Sequence, residues 1–527
     1  MALCGIILLG LIPRLTILVS DISSLIQFVP DDAFYYLQTA RNIAAGQGST
    51  FDGIHLANGF HPLWMFLLLP FAANQLDSLS FLRVDVAICI LFGLLTALVL
   101  YALLVKITKS TWVSLVGTAL YLLNRPAVIA SVNGLETSVS SLLFTISLYL
   151  IISAQGHRSS DMIRMGICLG LLFLGRTDNA FYLSALLLVI MYKAGRKNWV
   201  QHGLTLGLTI LILVGPWLGW NWLNFGSIFQ SSADAYPYVL QQNFLAAGHS
   251  SGEMLVQSLQ NFGTFVSSSL PNYVGSIQYA YQAAVLFCLM VIIRHNRKTS
   301  QTDAMSSSCL AILALWALGI LLSFVHTFIR WYPREWYFNQ LLILTPITFC
   351  TAYALLTMKN AKIFSVLAVF LDVSRRSKAM RAATILLSVG SIVALTLVVS
   401  RFSEEAPYPH QIEMLDAASW LRANLKQDEY ASAFNAGIMG FFSGRRVVNL
   451  DGTINNSARN AIQEGRLFAM MRASSVHYLL DFSPIMLFTY SGYLGQGTGS
   501  GTLIWLTEIA RPGGSWIGEN IQVYRFE

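Results

Sequence analysis

The chain has 527 residues, of which 55% are hydrophobic and 11% charged, against about 25% charged in a soluble globular domain. With a mean hydropathy of +0.58, it carries more apolar surface than a water-soluble fold can bury. A soluble enzyme, a disordered protein and a nucleic-acid binder are excluded, and a polytopic membrane protein remains. The net charge of +7 is uneven. Residues 1–401 hold 24 Lys and Arg against 14 Asp and Glu, and residues 402–527 hold 9 against 12. The positive excess belongs to the apolar part, where it reports orientation rather than a polyanionic ligand.

The N-terminal MALCGIILLGLIPRLTILV is apolar from the start, with no basic leader region and no small-residue cleavage site, so it reads as a retained first span. With residues 3–26, the runs at 81–105, 111–128, 134–154, 162–175, 179–193, 203–222, 279–294, 308–329, 339–358 and 382–400 make eleven expected spans. Lys106 and Lys109, then Arg158, then Lys193, Arg196 and Lys197, then Arg294, Arg297 and Lys298, then the run from Lys359 to Arg381 all fall on one side of such a chain. The positive-inside rule makes that side cytoplasmic. The shorter runs 61–76 and 361–371 then read as interfacial or re-entrant, because a crossing by 61–76 alone would flip every later cluster relative to the first loop.

Three soluble pieces face outward: a first loop at about 27–80, a second at about 223–278, and the tail from about 402. In the tail, EMLDAASWLRANL reads as a helix, and ASAFN, RVVNLDG and VHYLLDF read as short strands. The expected fold class is therefore a polytopic α-helical membrane protein of about 11 spans with a C-terminal soluble α/β domain. Residues 1–400 form the membrane module and 401–527 the outer domain. The tail holds no GxGxxG and no P-loop, so nothing points to a nucleotide. Cys4, Cys89, Cys168, Cys288, Cys309 and Cys350 lie in or beside apolar runs. They give no disulfide framework and no zinc spacing, and read as small buried hydrophobes.

Polar residues gather on the outer side: Asp31, Asp32, Asp52, Glu136, Asp178, Asp234 and Glu335, with Arg41, Arg125, Arg176, Arg330 and Arg334, and His55, His61 and His326. Arg14 is the one charge read at mid-span. A lipid or solute transporter or flippase places ionisable groups near the midplane, so this distribution favours an outward-facing enzyme over that alternative and over a non-catalytic surface scaffold. Asp31 and Asp32 open an amphipathic helix. They suit an N-cap, a general base whose pKa is raised by its neighbour, or a divalent cation that two ligands do not specify. HTFIRWYPREWYF at 326–338 suits either an aromatic membrane anchor or a clamp in which Arg330 and Arg334 hold a lipid phosphate and Trp331 and Trp336 face a sugar or prenyl chain. His55 and His61 read first as local hydrogen-bonding groups, and Asp451 in NLDGT as a turn residue.

PDDAFYYLQTARNIAAGQG at 30–48 followed by NGFHPLW is similar to the arabinofuranosyltransferase-like branch of the GT-C membrane glycosyltransferases, a superfamily that includes protein mannosyltransferases and aminoarabinose transferases. NGLETSVSSLL at 133–143, GRTDNAFYLSALLL at 175–188 and PWLGWNWLNFGSIFQSSADAY extend the resemblance over most of residues 1–350. Where relatives carry a Pro-Asn-Thr-like run, this chain has Gln230, Ser231 and Ser232. The Trp-Trp-Asp signature of oligosaccharyltransferases is absent, so en bloc glycan transfer is not expected. The resemblance implies an inverting transfer from a polyprenyl-phosphate sugar to a glycan, lipid or protein acceptor, in a bacterial plasma membrane and on its outer face. It implies Asp31 or Asp32 as base and matches Glu136 and Asp178 to acidic positions near the cavity; with them, Arg41, His61, Arg176, Arg330, Arg334 and Glu335 are expected around donor and substrate. It names no firm cofactor. The orientation is checked with a cysteine introduced near residue 455, expected to react with an impermeant thiol reagent in intact cells; labelling only after lysis would overturn it.

Overall fold

The computed structural model describes residues 2–153, 158–194, 198–274, 304–357, 406–494, 502–509 and 520–527. The runs expected at 279–294, 361–371 and 382–400, the cation clusters at 196–197, 294–298 and 359–381, and Cys288 lie outside the described residues. Among the described residues, four helices are long and apolar enough to cross a bilayer: Ala2–Val19, Ser78–Thr108, Trp199–Phe225 and Ala311–Ile329. Helices also cover the described parts of the other apolar runs, at Thr111–Leu122, Thr137–Ser153, Ser159–Gly175, Ala180–Ala194 and Asn339–Thr357. Local chemistry sets their ends. Asp77 caps Ser78–Thr108 by accepting from the Leu79 and Ser80 N–H groups, both at 3.1 Å, and Lys109 ends it in a left-handed turn at φ 54°. Pro62–Ala72 has 11 residues, about 16 Å of helix, roughly half a hydrocarbon core.

Among the described residues, a second buried charge in a long apolar helix joins Arg14. Arg14 is buried and donates to Ser131 Oγ at 2.6 Å, Leu122 O at 3.0 Å and Gly10 O at 2.5 Å. It ties the first span to the hairpin beyond Thr111–Leu122, a structural role. Asp85, passed over in the apolar run 81–105, is also fully buried.

The tail folds as a five-stranded sheet of order β2-β1-β3-β5-β4. Its strands are β1 Tyr430–Ala433, β2 Arg446–Asn449, β3 Val476–Phe482, β4 Leu503–Ile509 and β5 Ile521–Phe526. β1 pairs in parallel with β2 and β3, and β5 runs antiparallel between β3 and β4. Parallel neighbours need crossovers. Helix Gly437–Ser443 supplies the one from β1 to β2, and Asn456–Gln463 with Leu467–Ala473 the one from β2 to β3. The helix expected in EMLDAASWLRANL is Gln411–Asn424.

The sheet domain does not hang free. The first-loop helix Asp31–Ala44 buries Phe34, Leu37 and Ala40 in one apolar core with Ile438, Phe441 and Phe442 of the tail and Trp64 and Leu82 of the membrane side. Two glycines permit the close approach. A Cβ on Gly437 would lie 2.2 Å from Asp31 O, and one on Gly59 would lie 1.9 Å from Thr453 O. Gly437→Ala and Gly59→Ala are each expected to destabilise the docked domain by the ~1–3 kcal/mol of overpacking, read as a lower unfolding temperature and faster protease release of the tail. Wild-type resistance in both would show that the seam tolerates separation.

Candidate active site

Pro30 starts helix Asp31–Ala44 with extended backbone and no side-chain cap, and Asp31 and Asp32 occupy its first turn, where the helix dipole favours negative charge. The two carboxylates then part, because adjacent helical positions point about 100° apart. Asp31 does cap a helix, but not its own: it accepts from the N–H groups of Gly437 at 3.0 Å and Ile438 at 2.7 Å. Burial still pushes its pKa up to about 7, against the pull of those two donors. Asp32 lines a cavity of about 100 Å³ and accepts no hydrogen bond from the described residues. Burial raises its pKa; the Arg334 charge opposes that shift, while Glu136 and Glu335 add to it.

The rest of the cavity is charged and braced. Arg176 sits between Glu136, which its Nη1 contacts, and Asp178, to which it donates at 3.1 and 2.7 Å. This buried fork-and-carboxylate geometry fixes all three groups. His61 Nδ1 accepts from Thr177 N at 3.3 Å, and its Nε2 lies 3.6 Å from Glu136. Burial lowers the His61 pKa, despite the Glu136 charge. Gln230 joins these walls through Thr177 Oγ1 at 3.0 Å and Phe60 O. Arg330 donates to the carbonyls of Ser232 and Ala233 and also lines the cavity, while its Nε is buried without a partner. His326 stacks on Tyr337 with 4.0 Å between centroids, and both line the same space.

Asp32, His61, Glu136, Arg176, Asp178 and Arg330 are thus brought together. Four expected site residues are placed elsewhere. Asp31 is in the domain seam. Arg41 binds Ser78 Oγ at 3.1 Å and Leu76 O at 2.9 Å, about two and a half turns from Asp32. Arg334 lies one layer back, 4.3 Å from the Tyr332 ring and 5.6 Å from that of Trp336. Glu335 accepts from Tyr408 OH at the entry to the tail. The outer residues His55, Asp52 and Asp234 also serve the seam: His55 bridges Asp52 at 2.7 Å and Ser474 at 3.1 Å, and Asp234 pairs with Arg459 at 2.8 Å. Trp331 takes a left-handed φ of 59° and donates to Ser258 at 2.7 Å.

The tail closes the cavity, which composition gave no way to foresee. Thr453 lines it, and its carbonyl accepts from Ser231 Oγ at 2.8 Å. Asn456 donates to Asn58 at 2.8 Å. Asp451 Oδ1 accepts from Thr453 N at 2.7 Å, the turn role read from NLDGT. Burial also lifts its pKa to about 7, with the Asp32 charge contributing, so it belongs to the same electrostatic field. Tyr35 and Tyr36, read only as helix residues, line the cavity too. Among the described residues no group of three or more His, Cys, Asp or Glu is placed to hold a metal ion.

A family model for dolichyl-phosphate-mannose-protein mannosyltransferase matches residues 79–220, and one for a domain of unknown function (DUF8728) matches residues 403–517. The apo oligosaccharyltransferase of Archaeoglobus fulgidus superposes with a TM-score of 0.58 at 13% identity, over 95% of this chain and 73% of that one. ArnT from Cupriavidus metallidurans bound to undecaprenyl phosphate superposes with a TM-score of 0.54 at 13% identity, over 99% of this chain and 98% of that one. The chain has the GT-C fold. No curated protein sequence matches it. The apo form of ArnT gives a TM-score of 0.55 at 12% identity, over 100% of this chain and 98% of that one. This GT-C architecture places the Asp32 cavity between membrane helices and tail. Asp31→Ala is expected to lower the unfolding temperature, because it leaves two helix N–H groups unpaired, whereas Asp32→Asn leaves that temperature unchanged. Equal thermal effects of the two changes would overturn this division of roles.

Proposed function

We propose that the chain is an inverting membrane glycosyltransferase that takes a sugar, hexose or pentose, from a polyprenyl-phosphate donor. The observation that carries the reading is the state of Asp32: a carboxylate with raised pKa, no hydrogen-bond donor among the described residues, and a cavity of fixed charged groups around it. A general base needs this, because each donor bonded to a carboxylate lowers its proton affinity. In the proposed step an acceptor hydroxyl attacks the anomeric carbon and passes its proton to Asp32. The bond from that carbon to the phosphate oxygen breaks on the opposite face, so the configuration inverts and polyprenyl phosphate leaves. Negative charge grows on the leaving phosphate, where Arg330 and, behind it, Arg334 lower the barrier by being fixed in advance.

The first-loop motif supports the arabinofuranosyltransferase-like branch, and the lipid held by the ArnT neighbour supports a polyprenyl carrier. The lysine distribution supports an outward-facing site in an integral membrane protein of bacterial plasma-membrane type, with a glycan, lipid or protein as acceptor. If a divalent cation served the reaction, Asp32 would hold it, since the other two carboxylates lining the cavity, Glu136 and Asp178, are paired with Arg176.

Asp32→Asn is expected to lower transfer by at least the ~10²-fold typical of general-base loss. The acid limb of kcat/KM is expected to lie above the ~3.9 of an ordinary aspartate, because activity appears only as Asp32 loses its proton. Full activity in Asp32→Asn, or transfer from a soluble nucleotide sugar with no lipid carrier present, would overturn the reading.

A further inference from the structure

A second and larger cleft, of about 380 Å³, opens at the seam between the far end of helix Asp31–Ala44 and the tail. Four arginines line it: Arg41 from the first loop, and Arg422, Arg445 and Arg446 from the sheet domain. Its one carboxylate, Asp52, is already bound to the backbone N–H groups of Ile54 and His55, both at 2.8 Å, and to the His55 ring at 2.7 Å. None of the four guanidinium groups makes an ion pair with a carboxylate among the described residues.

The protein holds these groups still without neutralising them. Arg41 is fixed by Ser78 Oγ and Leu76 O and lies 4.3 Å over the Phe441 ring. Arg445 donates to Leu425 O at 2.8 Å and Arg422 O at 3.0 Å. Arg422 donates to the carbonyls of Phe442 and Ser443, the last of helix Gly437–Ser443. Arg446 donates to Tyr430 OH at 2.6 Å. Capping carbonyls explains part of this, since cations suit helix C-termini. It does not explain the number. A guanidinium carries five N–H donors, and none of the four commits more than two to hydrogen bonds with the described residues. Four like charges in one cleft repel, and only an anion with several acceptor oxygens relieves that repulsion while using the remaining donors.

We propose that this cleft is a binding site for a phosphoryl group, distinct from the Asp32 cavity. Phosphate fits the planar forks better than a single-oxygen anion does, because its oxygens accept paired N–H bonds. The site lies nine residues along the helix from Asp32, about 13 Å at 1.5 Å per residue. It also sits at the outer end of Ser78–Thr108, whose Ser78 anchors Arg41. A phosphoryl group therefore reaches it either from a bilayer lipid headgroup or from a phosphorylated soluble molecule. The inference stands whether or not Asp32 performs sugar transfer.

The test uses the full chain in phosphatidylcholine nanodiscs with radiolabelled inorganic phosphate as probe. Saturable binding is expected, unchanged in Arg330→Gln, weakened severalfold in Arg446→Gln, and weakened at least tenfold in Arg445→Gln/Arg446→Gln. Arg446 is exposed, so its single change keeps the test sound if the double variant fails to fold. Nanodiscs containing phosphatidylglycerol separate the two sources. Displacement of phosphate by that lipid assigns the cleft to a headgroup, and unchanged phosphate binding assigns it to a soluble phosphoryl ligand. Absence of saturable binding, binding lost in Arg330→Gln, or wild-type binding in both Arg446 variants would overturn the proposal.

Discussion

The carboxylate of Asp31, received by two backbone N–H groups of the tail, is the contact on which the site depends. It joins the first residue of one helix to the first turn of another across the whole length of the chain. A buried carboxylate away from such donors is costly, and a buried helix start without an acceptor leaves orphan N–H groups. The contact offsets part of both costs and so favours this arrangement of the two helices. In that arrangement Asp32 turns toward the membrane helices and the loop after β2 falls over it.

The resulting cavity is built from both parts of the molecule. The membrane side supplies Glu136, Arg176 and Asp178, whose mutual ion pairs keep three charges buried in a fixed geometry. The tail supplies Thr453 and the field of Asp451. The second loop supplies Gln230 and the carbonyls that orient Arg330. Fixed groups of this kind reorganise little when charge moves, and this is the main electrostatic resource of an enzyme.

Much of this was legible in the sequence. The apolar runs mark the helices, and the Asp-Asp pair, Glu136, Arg176 and Asp178 mark the cavity. Strands β1 to β3 follow from short runs that are buried at most of their positions. β4 and β5 escaped notice: LIWLTEI faces solvent at most of its positions, and IQVYRF buries only half of its own. The choice between Asp31 and Asp32 was not legible either, because the partners that decide it lie about 400 residues away. Asp85 was missed because a single acid inside a long apolar run changes its mean hydropathy little. Arg41 was drawn into the expected site by nearness in sequence, whereas the pitch of its helix carries it to another cleft.

The closure of the cavity by the loop around Thr453 also orders events during synthesis. Translation completes the membrane helices first, and a chain emerging from the ribosome has no finished site while its last quarter is still being made. The cavity is complete only after the tail has folded its sheet and seated on Asp31. Until then the space around Asp32 lacks the wall that Thr453 supplies and stays open on that side.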